Sequence, residues 1–223
     1  MSYSAWETAK AKSQYHFDTG FSDPRWDTAI VLGRFIGEWQ QELSEAIDNS
    51  RPVNWETRGH RRDMPVWVQP DLAGEEYDIE QAGADPKMMV GHLNYDLSPV
   101  FQRMVDCFCL DQVMSRIHVQ TLGQVWNLHI DKLEKWCPEN PQKVFRVFVQ
   151  LQDWRPGQFW EFGNYHWNQW QAGDIVTFDW PNVPHSTANA GYHPRCTLQI
   201  TGIRTDATEQ FLRNLREEKN WNI

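Results

Sequence analysis

Arg116-Ile-His-Val-Gln-Thr-Leu-Gly-Gln-Val-Trp-Asn-Leu-His129-Ile-Asp131 is the stretch on which the fold turns. Two runs carrying β-branched and aromatic residues flank Gly123, so the segment reads as strand, turn, strand. The same rhythm continues downstream. Runs at 144–152, 158–163, 166–170, 174–180, 184–189 and 196–203 are separated by Pro156-Gly157, Gly163-Asn164, Ala172-Gly173 and Gly191, all good turn formers. With 116–122 and 124–129 there are eight candidate strands. Eight short strands at this spacing predict a mainly β chain, a double-stranded β-helix or jelly roll, with helices packed outside it.

Upstream of residue 115 the pattern changes. From Trp26 to Ile47 the residues Leu32, Phe35, Ile36, Trp39, Leu43 and Ile47 recur at three- and four-residue spacing, which predicts one buried helix face. Asp23 before Pro24 supplies its start signal. A second helix is expected from Pro99 to about Cys109 and a weaker one from Leu72 to Gln81. The polar segment from Asn49 to Trp67 reads as loop. Asp206 with Glu209 resembles a capping box opening a last helix through Phe211, Leu212 and Leu215. The expected organisation is one compact domain: residues 1–114 as a helical and irregular extension on the barrel, and 115–223 as the β core with its C-terminal helix.

Composition narrows the partners. A net charge of -9 over 223 residues, with Arg58, Arg61 and Arg62 as the only tight basic cluster, disfavours a nucleic-acid surface. Four cysteines without C-x-x-C spacing, and an N-terminus lacking a signal-like apolar run, predict reduced thiols and a cytoplasmic protein. No stretch approaches the 18 or so apolar residues of a membrane span. Most of the thirteen tryptophans are expected in the core, with Trp126 and Trp180 as candidate pocket walls.

The chemistry-bearing set is His129-x-Asp131, then His185 56 positions after the first histidine, then Arg195 ten beyond. Two imidazoles and one carboxylate on one face leave about three positions of an octahedral Fe(II) open, as oxygen chemistry requires. An arginine one strand away suits an acidic co-substrate, because guanidinium grips a carboxylate by two parallel bonds. A rival His16-Phe17-Asp18 pair, with His92 and Arg103, draws its members from helix-like sequence and reads as a polar turn. Arg146 lies between Phe145 and Val147, so it is either an inward cation that needs an anion or an edge residue pointing to water.

The ordered set His129-Ile-Asp131, Lys143-Val-Phe-Arg146-Val-Phe-Val-Gln150-Leu, Gly173-Asp174-Ile-Val-Thr-Phe, His185-Ser-Thr-Ala-Asn189 and Arg195-Cys-Thr-Leu resembles the Fe(II)/2-oxoglutarate oxygenases. Within that superfamily it is most similar to the aspartyl/asparaginyl β-hydroxylase and free-proline hydroxylase branch, over residues 115–204. The resemblance implies a cupin-like jelly roll holding Fe(II) through His129, Asp131 and His185. It also implies 2-oxoglutarate bound by Arg195, with Arg146 and Asn189 matching further binding positions of the branch. The implied reaction consumes O2, releases succinate and CO2, and hydroxylates an amino acid, a peptide or protein side chain, or another small polar substrate. Phe148 departs from the branch, which often has histidine there. Two alternatives stand beside this reading: a cupin-like metalloenzyme that uses no 2-oxoglutarate, and a non-catalytic jelly-roll binding module.

Overall fold

The computed structural model describes residues 29–48, 51–54, 65–68 and 98–223, apart from 121, 124 and 164. In chain order the elements begin with β1 (Ile30–Ile36), α1 (Gln40–Asp48), β2 (Arg51–Asn54), β3 (Pro65–Val68) and α2 (Pro99–Asp106). The central run follows as β4 (Asp111–Gln120), β5 (Val125–His129), β6 (Val144–Gln150), β7 (Gln158–Phe162), β8 (Tyr165–Trp167), β9 (Asp174–Thr177), β10 (His185–Asn189) and β11 (Arg195–Ile203). The chain closes with α3 (Asp206–Glu218) and β12 (Asn220–Asn222).

Strand order defines the architecture. One sheet runs β12-β1-β9-β6-β11-β4 and the other β5-β10-β7-β8. Within β4 to β11 every pairing is antiparallel, and the chain passes from sheet to sheet as it winds. Two facing four-stranded sheets in this order form a double-stranded β-helix, as the strand rhythm predicts. β1 and β12 widen the larger sheet on the β9 side, pairing with each other in parallel.

Alternation along the strands sorts the core into two layers. Phe145, Val147 and Val149 of β6, with Cys196, Leu198 and Ile200 of β11, pack on Leu32, Phe35, Phe101, Met104, Phe211 and Leu215 beneath the helices. Val144 and Phe148 point the other way, into an aromatic layer between the sheets with Trp160, Phe162, Trp167, Trp170, Phe178 and Trp180. The tryptophans at 160, 167, 170 and 180 are therefore mainly core. Trp180 keeps its indole N–H satisfied at Val144 O, 3.0 Å away.

Three expectations need correction. Ile30–Ile36 is a strand, and the helix begins only at Gln40. The pairing of β1 with β9 slips between Val31 and Gly33, so Leu32 and Phe35, three apart, are both buried. A bulge thus imitates the helical period. The segment read as loop contains β2 and β3, which pair with each other. The capping box sits one residue earlier: Thr205 Oγ1 accepts from Thr208 N–H, and Thr208 Oγ1 accepts from Thr205 N–H. The helix expected at Leu72–Gln81 and the start signal at Asp23 lie outside the described residues. Among the described residues no helix is long and apolar enough to cross a membrane.

Gly173 couples β1 to the turn before β9. Its N–H donates to Gln150 O and its carbonyl accepts from Phe35 N–H, at φ +89°. A Cβ there would meet Phe35 O at 2.0 Å. Gly173→Ala is expected to destabilise the fold by about 2 kcal/mol or more, read as a lower urea midpoint at unchanged slope.

Candidate metal centre

His129 ends β5 and His185 begins β10, and the two strands pair with these residues in direct register. Residues opposite each other on antiparallel strands share a face, so both imidazoles enter the barrel from one side. Their ring centroids are 4.3 Å apart. Asp131 follows two residues after β5, and its backbone N–H donates to Trp180 O, which anchors the turn carrying the carboxylate. The Nε2 of His129 is 3.8 Å from Asp131 Oδ1, and that of His185 is 3.9 Å from Oδ2. One ligand atom from each residue lies within 4.8 Å of the others, and all three residues are buried. Among the described residues no other group of three has this character.

The electrostatics suit a cation. His185 Nδ1 lies 3.2 Å from Val183 O, which fixes the proton on that nitrogen and turns the lone pair of Nε2 inward. Burial pushes the His185 pKa down to about 3, so the ring is a neutral donor at ordinary pH. Burial raises the Asp131 carboxyl, but the Arg146 guanidinium leads the opposing influences and the carboxyl is held below its usual range. Two imidazoles and an ionised carboxylate match a hard or borderline divalent ion with open positions. The residues present therefore fit the metal that the sequence implies.

Arg195, Arg146 and Asn189 all face the interior and are buried. The Arg195 guanidinium lies over the Trp160 ring, 4.4 Å from its centroid, while its Nε and Nη1 have no hydrogen-bond partner. Burial alone drives its pKa down to about 9, the signature of a charge lacking its counter-ion. Trp160 Nε1 and Gln150 Nε2 are also buried without partners. These four atoms are donors, which suits an anion. Arg146 points inward, and the anion beside it is Asp131, 2.7 Å from Nη1 to Oδ2.

Asn189 is engaged elsewhere. Its amide donates to Gln120 O and His193 O, both at 2.8 Å, and accepts from Gly191 N–H, so it staples the turn after β10. His118 lies on β4 opposite Thr197 of β11, and burial with Arg116 and Arg195 nearby holds its pKa well below the usual value. Gln150 and Trp160 carry no sequence signal as polar donors, because neither type marks a site by itself. His16, Asp18 and His92 of the rival set lie outside the described residues, and Arg103 is exposed on α2. The four cysteines are thiols.

No family model matches this sequence, and no curated protein matches it. Solved structures give short, distant matches. A cupin protein from Bacteroides fragilis aligns with TM-score 0.31 and 16% identity, over 42% of this chain and 68% of that one. A Cupin 2 conserved barrel domain protein from Salinispora arenicola aligns with TM-score 0.29 and 12% identity, over 46% and 71%. A Pseudomonas putida prolyl-4-hydroxylase aligns with TM-score 0.34 and 19% identity, over 43% and 54%. The class of the molecule, a double-stranded β-helix with a buried His-Asp-His cluster, rests on its own strand order and side chains.

Two imidazoles shielded from water set a pH dependence. An unfolded histidine takes up a proton below about pH 6.5, whereas folded His185 and His118 resist it. The metal-free protein is expected to lose stability as pH falls from about 6.5 towards 3, at up to about 1.4 kcal/mol per pH unit from His185, with half-buried His118 adding in the same direction. Urea unfolding across that window measures it, and His118→Gln is expected to flatten the slope.

Proposed function

We propose that this chain is an Fe(II)- and 2-oxoglutarate-dependent dioxygenase that hydroxylates an amino acid, a peptide or protein side chain, or another small polar substrate. The observation that carries the reading is Arg195: a guanidinium 5% exposed, with two N–H-bearing atoms unsatisfied, in the barrel that holds the His-Asp-His cluster. Leaving a buried cation unpaired costs several kcal/mol, so this position favours a ligand that brings a carboxylate. A metalloenzyme with no acidic co-substrate leaves that charge unexplained.

In this reading His129, Asp131 and His185 hold the iron, and Arg195 takes the far carboxylate of 2-oxoglutarate. When bound, the pair supplies oxygen activation and the electrons for it, with 2-oxoglutarate leaving as succinate and CO2. The protein's own part is orientation and dryness. Trp160 supports the guanidinium from one side, so its donors meet the carboxylate in a fixed plane. The aromatic layer of Phe148, Phe162 and Phe178 excludes water beside His185, whose ring packs 4.5 Å from that of Phe178. Asp131 occupies the third ligand position with a carboxylate, which suits hydroxylation rather than halogenation.

The test incubates anaerobically iron-loaded protein with 2-oxoglutarate, then oxygen and pools of amino acids and peptides. Succinate release and a substrate mass gain of one oxygen are expected. His129→Ala and His185→Ala are expected to abolish stoichiometric iron binding, measured by metal titration. Arg195→Ala is expected to keep iron and raise the 2-oxoglutarate concentration for half-maximal turnover at least about thirtyfold, about 2 kcal/mol. An unchanged 2-oxoglutarate dependence in Arg195→Ala would favour a metalloenzyme of another kind.

A further inference from the structure

Arg146 sits in the middle of β6, in a strand with every residue buried. Strand alternation turns it towards the barrel interior beside Val144 and Phe148. Its contacts hold it on several sides. Nε donates to Thr201 Oγ1 at 3.0 Å, and Thr201 is its register partner on β11. Its carbonyl accepts from Thr177 Oγ1 at 2.8 Å, which ties the same residue to β9. Nη1 then reaches Asp131 Oδ2 at 2.7 Å, both side chains being less than a tenth exposed. The contact is a close ion pair rather than a well-aligned hydrogen bond, since Oδ2 has no partner of proper hydrogen-bond angle.

We propose that Arg146 is a positioning residue for the metal centre: it holds one oxygen of Asp131, so that the carboxylate meets the metal through the other. This inference rests on the metal reading above and differs from the co-substrate role that the resemblance implies for Arg146. A carboxylate beside a divalent ion can bind through one oxygen or two, and the choice sets how many positions remain for other ligands. With Oδ2 held by a guanidinium that is itself fixed by Thr201, one-oxygen binding is built into the fold. Charge follows the same logic. Arg146 cancels the charge of Asp131, and the histidines bind a metal as neutral rings, so the divalent charge is left for an incoming anion to balance.

The test uses Co(II), whose visible absorption reports coordination number, on the full-length protein without turnover. Wild type is expected to bind one Co(II), and His129→Ala none. Arg146→Gln is expected to weaken Co(II) binding about ten- to a hundredfold, the usual effect of removing a residue that orients a ligand. Its visible bands are expected to change in intensity as the released carboxylate swings onto the metal. Arg146→Lys, which keeps the charge but loses the fixed fork, is expected to fall between. Arg146→Gln with wild-type Co(II) affinity and spectrum, but weaker 2-oxoglutarate binding to the Co(II) protein, overturns the proposal and gives Arg146 to the co-substrate. If Arg146→Gln does not fold by circular dichroism, Thr201→Val takes its place. It removes only the oxygen that fixes Nε, with a loss of a few-fold in Co(II) affinity expected and an unchanged affinity counting against the proposal. Wild type that takes up no Co(II) sinks the metal reading itself, a result separate from a wild type that binds and variants that match it.

Discussion

A β-strand sends successive side chains to opposite faces, and the site depends on how β6 and β11 use that constraint. On one face they carry Phe145, Val147, Val149, Cys196, Leu198 and Ile200, which seal against the helices. On the other, register sets Arg146 beside Thr201 and Gln150 beside Thr197, with Arg195 two residues before Thr197. The apolar face supplies the burial that makes the sheet stable, and the polar face can therefore be expensive. A slip of one residue in either strand would drive guanidinium groups into the helix layer.

The same constraint explains why the interior is only partly satisfied. Some of its polar groups are closed on one another: Gln120 donates to Thr187 Oγ1 at 3.0 Å, joining edge strand β4 of one sheet to β10 of the other, and Thr197 donates to Gln150 at 3.1 Å. Others are left with donors unused, at Arg195, Trp160 and Gln150. Native interiors hold few such atoms, and unused donors side by side at Arg195 and Trp160 suit an anion. Leaving them bare costs free energy that an anion placed beside them would recover.

Much of this was legible along the chain. The strand runs and their glycine turns predict the eight strands to within a few residues, because turn chemistry and β-branched composition are local properties. His129, Asp131 and His185 could be paired by spacing and strand context. β1 was not legible as a strand, since the bulge at Gly33 places Leu32 and Phe35 at a helix-like interval. β2 and β3 were hidden for a different reason: Arg51-Pro-Val-Asn carries little strand character, and its partner follows only after the mostly polar sequence 55–64.

What the sequence by itself determined is the set of chemical groups: two imidazoles, a carboxylate and a distant guanidinium, in strand-forming surroundings, are read from residue type and order. What only the tertiary structure decided is who faces whom. Arg146 offered an inward cation or a solvent-facing edge, and no local property could show that its partner is Asp131, fifteen residues away on a different segment. Nor could spacing show that Asn189 is consumed by its own turn while Arg195 keeps two atoms unsatisfied. Pairing inside a barrel depends on register between strands remote in sequence, and register is a property of the packed sheets rather than of any one of them.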